Sequence, residues 1–168
     1  PLQEPYGSDS LDLSNAKMDP GHVLLLSWWL TTEFSAAVNS VTVDSTGDVR
    51  FPNTYTLTAG EDTIDLSKKN LGPADVNLIS AWLATAAGAA IEVVAIGGNP
   101  ITSEGGATLL ETIKTSKLKA IDIGKPLPLQ EPYDSDTLDL SSTGMDPGHV
   151  LLLSWWLTTK FSAALNLV

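Results

Sequence analysis

The chain has 168 residues, with 20 acidic and nine basic side chains, two His, no Cys and a formal net charge of −11. That balance excludes nucleic acid and anionic membrane as ligands, since both need clustered Lys and Arg, and the missing Cys excludes a disulfide framework, a thiolate zinc site and thiol catalysis. Hydrophobic residues make up 43% and charged residues 17%, enough to bury a core, while the longest apolar run, Val23 to Leu30, spans eight residues against the roughly 20 of a membrane helix.

Taken in chain order, Leu11 and Leu13 flank Asp12 with the alternation of a short strand. A turn follows, then Pro20 opens an apolar helix, "PGHVLLLSWWL", where the missing proline N–H would be unpaired anyway. Val41 and Val43 mark a second strand. The next stretch, "DSTGDVRFPNTYTLTAGED", has turn formers and no helical period, so Val41–Val43 pairs with its strand neighbours or in a local hairpin with "VRFPNTYTLT". Ile64 and Leu66 mark a third strand, followed by a Pro-started helix whose Val76, Leu78, Ile79, Trp82 and Leu83 are apolar. Val94 and Ile96, then Ile121 and Ile123, mark two more strands with "ITSEGGATLLETIKTSKLKA" between them. Pro126, Pro128 and Pro132 exclude a helix and predict extended, polyproline-like chain. Leu138 and Leu140 form the last strand pair.

Residues 1–41 and 128–168 match at 33 of 41 positions without a gap. The chain therefore reads as one complete unit, 1–127, and the first third of the next, 128–168: a fragment of a longer tandem array. An older repeat lies inside the unit, since a shift of 53 lays residues 11–30 on 64–83. Asp12 then meets Asp65, Pro20 meets Pro73 and Trp29 meets Trp82.

Val94 to Ile101, "VAIGGNPI", has the spacing L-x-L-x-x-N-x-L with Asn99 in place, and a helical "ITSEGGATLLETIKTSKLKA" follows. Here the chain resembles the leucine-rich repeat family in its long, ribonuclease-inhibitor-like form. Asn70 is displaced and Asn15 off register relative to that pattern. The resemblance implies an α/β fold, a solenoid of parallel strands with helices on most of the convex side. It also implies that the residue between each apolar pair points to a concave face, which gives the row Asp12, Thr42, Asp65, Asp122 and Asp139. That row reads as a solvated polar face or as a ligand or cation row.

Comparing repeats points to a second surface. Asn77 and Ala81 sit on the outward side of the helix in the 64–83 copy, and their counterparts are Leu24 and Trp28, then Leu151 and Trp155. Four-spaced Leu and Trp would leave an apolar patch that monomers seldom expose. It is covered by the proline-rich segment or the 44–61 insert, or it packs laterally on another chain or a saccharide. Trp29 and Trp82 are expected in the core with locally bonded indole N–H groups. His22 and His149 occupy one position in two repeats, at a helix start, and suit a capping role.

Neither a nucleophile–base motif nor a phosphate loop occurs, so an enzyme is not expected. No cofactor is expected either, the one alternative being Ca²⁺ at Asp44 and Asp48, whose loop lacks the closing Glu of a 12-residue calcium loop. No N-x-S/T sequon occurs, leaving O-linked sugars as the glycosylation route. Near-identical large units give identical interfaces at a fixed step. The leading expectation is thus a structural tandem-repeat protein of an extracellular fibre or surface filament, partnered by copies of itself. The alternative is a leucine-rich-repeat protein-binding module with a polar, Asp-rich concave face.

Overall fold

Three-residue alternating segments and Pro-started apolar runs set the order of elements. A computed structural model describes residues 4–165. In chain order these are β1 (Ser10–Asp12), α1 (Pro20–Leu30), β2 (Ser40–Asp44), β3 (Thr54–Thr58), β4 (Thr63–Asp65), α2 (Pro73–Leu83), β5 (Val93–Ala95), α3 (Thr102–Thr115), β6 (Ala120–Asp122), β7 (Pro126–Pro128) and α4 (Pro147–Leu157). Short 3₁₀ turns, Glu33–Ser35 and Lys160–Ser162, follow α1 and α4.

The strands form two small mixed sheets, ordered β1-β2-β3 and β4-β5-β6-β7. β1 runs parallel to β2 with Leu11 opposite Val41, and β2 runs antiparallel to β3 with Val41 opposite Leu57. In the second sheet β4, β5 and β6 are parallel, with Ile64, Val94 and Ile121 in register, and β7 is antiparallel with Leu127 opposite Ile121. The helices pack in chain order, α1 on α2, α2 on α3 and α3 on α4. Between sheets and helices lie Val41, Val43, Leu57, Ile64, Val94, Ile121 and Leu127 from the strands and Ile96 just after β5, with Val76, Ile79, Trp82 and Leu109 from the helices, all buried.

This corrects the expected leucine-rich-repeat solenoid. Among the described residues a continuous parallel sheet and a solenoid are absent; they form a small α/β domain of two mixed sheets and four α-helices. The reason lies at the sheet edges. The insert after β2 folds back as β3 and takes the edge that β4 would need, so β4 starts a second sheet. The proline segment then takes the free edge of β6 as β7. Pro126 and Pro128 lack the N–H of a further ladder, which suits an edge strand. Leu138–Leu140, expected as a strand, is not one, and the edge of β6 where the repeat would place it is taken by β7. Of the two pairings open for Val41–Val43, both occur, one on each side.

Local geometry does repeat. Asp12, Asp65, Asp122 and Asp139 each accept, through Oδ1, the N–H two residues on, from Ser14, Ser67, Gly124 and Ser141 at 2.7–2.9 Å. Such Asx turns end an extended segment by offering its backbone a side-chain partner. Two left-handed residues follow at matching places before α1, α2 and α4: Asn15 and Lys17, Lys68 and Asn70, Ser142 and Gly144, with φ of 54–70°. Asn99, buried at the turn after β5, donates Nδ2 to the carbonyls of Leu66 (2.8 Å) and Ile96 (2.7 Å) and accepts from Leu71 N–H.

The insert is latched by one buried carboxylate. Asp75 Oδ2 accepts from Thr46 N, Thr46 Oγ1 and Gly72 N, each at 2.8 Å, while Oδ1 accepts from Tyr55 Oη at 2.9 Å. Burial raises the Asp75 carboxyl above the usual range against the pull of those donors. Burial, then the Asp75 charge, pushes the Tyr55 phenol well above its ordinary value.

Candidate interaction faces

Helices α1 and α4 are the same eleven residues, "PGHVLLLSWWL". Their N-terminal chemistry is also the same. Asp19 Oδ1 accepts from His22 N at 2.9 Å, and Asp19 N–H donates to His22 Nδ1 at 3.2 Å. In α4, Asp146 Oδ1 accepts from Gly148 N and His149 N, and Asp146 N–H donates to His149 Nδ1 at 3.1 Å. This is a reciprocal capping pair in which a His stands where Glu is usual. Tyr6 meets Trp29 edge-on at 5.8 Å, and Tyr133 meets Trp156 edge-on at 5.7 Å.

What differs is the flank each helix buries. α1 rests on α2, so Val23 is fully buried and Leu25 is 65% exposed; α4 rests on α3, so Val150 is 50% exposed and Leu152 only 1%. The His side chains divide likewise, 61% exposed at His22 and 0% at His149. Each helix therefore shows solvent the flank that its twin hides. An apolar stripe all round a helix is the pattern of one covered on both sides.

The bare flank of α1 forms an open groove of about 580 Å³ lined by Tyr6, Leu11, Leu13, Ala16, Met18, His22, Leu25, Leu26, Trp28 and Trp29. The bare flank of α4 forms a smaller one of about 350 Å³ with Leu138, Leu140, Leu153, Leu157 and Leu165 in its wall. A third stripe is open in both helices. Leu24 and Trp28 are exposed, Leu151 is at the exposed margin and Trp155 is half-buried. Neither the 44–61 insert, spent on β2 and α2, nor the proline segment, spent on β6, covers Trp28, which keeps 56% of its surface open.

The remaining sequence candidates lie as follows. Asp12 and Thr42 are on the first sheet, Asp65 and Asp122 on the second and Asp139 in a loop. The four Asp each give one oxygen to an Asx turn, and Thr42 Oγ1 meets Thr56 Oγ1 at 2.9 Å. Asp44 accepts from Asn15 N and Thr54 Oγ1, both at 2.7 Å. Asp48 is gripped by Arg50 at 2.8–3.0 Å, and those hydrogen bonds lower its carboxyl to about 2. Among the described residues no group of three or more His, Cys, Asp or Glu is placed to hold a metal ion, and no helix is long and apolar enough to cross a membrane. Trp82 is buried as expected, but its indole N–H has no partner; Trp29 is half-buried. Sequence reasoning singled out Leu24 and Trp28 and passed over Leu25 and the contrast between His22 and His149. The helices' identity was readable in the chain; which neighbour sits on which flank was not.

No protein-family model matches the chain. No curated protein and no solved structure matches it either, so the resemblance to leucine-rich repeats rests on the chain's own residues.

Proposed function

We propose that this protein is a structural, self-associating building block of an extracellular fibre or surface filament. One observation carries the reading: the same apolar helix occurs twice and is bare on opposite flanks. Burying Leu25, Trp28 and their neighbours favours association at roughly 25 cal/mol per Å² of apolar surface, before association costs and any intramolecular contact given up are met. A net charge of −11 sets a repulsion that salt screens, with a Debye length of about 10 Å at 0.1 M and about 3 Å at 1 M.

Light scattering on the full chain tests this. Average mass should rise with protein concentration, and rise further with added salt. A constant monomer mass from micromolar to millimolar protein at every salt concentration would end the proposal.

A further inference from the structure

We infer that the bare flank of α1 is the docking site for α3 of a second copy, and that within a single molecule α4 fills that seat on α3. The inference rests on the self-association proposed above and names its interface.

The α3–α4 contact is the established interface, and α1 carries its α4 half unused. At its centre two glycines bring the backbones together. A Cβ on Gly106 would lie 2.6 Å from Gly148 Cα, and one on Gly148 would meet the Thr102 carbonyl and lie 2.7 Å from Ile101 Cγ1. Gly148 must therefore be glycine. Its twin Gly21 faces nothing but Asp19 Oδ1 at 3.3 Å, so nothing within one molecule requires glycine there. The polar half matches as well. Asp146 Oδ2 accepts from Thr102 N at 2.6 Å, and His149 Nε2 donates to the Ile96 carbonyl at 3.1 Å. Asp19 and His22 hold the same side chains in the same capping geometry, exposed on the groove side. Leu25 would enter the place of Leu152, which is almost wholly buried, and Trp29 that of Trp156.

Docking is thus an exchange. When α1 of one copy enters, α4 of the other leaves, and the number of covered flanks is unchanged. A tethered segment competes at an effective concentration of order millimolar. The closed form therefore dominates in dilute solution, and weakening the α4 seat promotes assembly instead of abolishing it.

The test uses the full chain and three variants, followed by sedimentation. Gly148→Leu expels α4 and should lower the concentration of half-association at least tenfold. Adding Gly21→Leu to it should return the chain to monomer. Gly21→Leu alone, which in the monomer meets only the exposed Asp19 carboxylate at 3.3 Å, should keep the far-UV circular dichroism of the unmodified chain and weaken its association at least tenfold. This arm decides the matter even where Gly148→Leu fails to fold. If the unmodified chain associates and Gly21→Leu leaves that association untouched, self-association stands and this seat is wrong. If no chain associates at any concentration, both fall.

Discussion

Lys17 is held at φ 54°, a left-handed conformation, at the place where the second copy of the segment has Gly144 at φ 70°. A non-glycine residue there costs about 1–2 kcal/mol, partly offset by the roughly 0.5–1 kcal/mol of extra chain entropy that a glycine loses on folding. Lys17→Gly should therefore stabilise the protein by about 0.5–1 kcal/mol, read as a shifted urea midpoint with unchanged slope. Asp75 makes the opposite case. It answers four donors with two oxygens, and Asn would present an amide N–H₂ to some of them. Leaving buried donors unmet costs about 1–3 kcal/mol, so Asp75→Asn should lose about 2–3 kcal/mol in the same measurement and loosen the hairpin of β2 and β3. At this scale the chain was partly legible. Asp12, Asp65 and Asp122, each between two apolar residues, mark polar positions at the ends of short strands, whereas Asp139 lies in a loop. The row read as a solvated polar face or as a ligand or cation row, and neither reading names the bond that Oδ1 makes two residues on to turn the chain. Alternation reveals which side a residue takes and says nothing about the partner its oxygen finds.

At the scale of elements, the Pro-started helices were legible because Pro20, Pro73 and Pro147 mark first turns followed by apolar runs. Sheet edges were not. Pairing depends on which segment occupies an edge, and two irregular segments, the insert and the proline stretch, occupy the edges of β2 and β6 that the repeat assigned to other strands. The twin helices allow a controlled comparison, since one substitution can be placed in one sequence context with two different neighbours. Leu152→Asp puts a carboxylate against α3 and should cost about 3 kcal/mol or more. Leu25→Asp enters solvent and should change monomer stability by no more than about 0.5 kcal/mol. Thermal melts at low protein concentration check the pair. Equal losses would mean that the two flanks are equally covered.

At the scale of the whole molecule, a gapless match of 33 in 41 residues foretold two like segments, and α1 and α4 are alike in sequence, caps and aromatic pairs. It also suggested that their surroundings would be alike. They are not, because β7 and α3 stand beside one and α2 beside the other, and that asymmetry leaves opposite flanks of the same helix bare at the two ends of the helix row. The two histidines report on one flank in its two settings, bare at His22 and buried at His149, and the chain contains no others. The most direct measurement is the pair of histidine ring signals in the unmodified chain, followed by NMR as protein is raised from ~10 µM to the ~1 mM at which a tethered segment begins to be displaced. As mass increases, the His22 signal should move to the position of a buried ring while that of His149 loses it in equal proportion. Association with both signals unmoved would contradict the account.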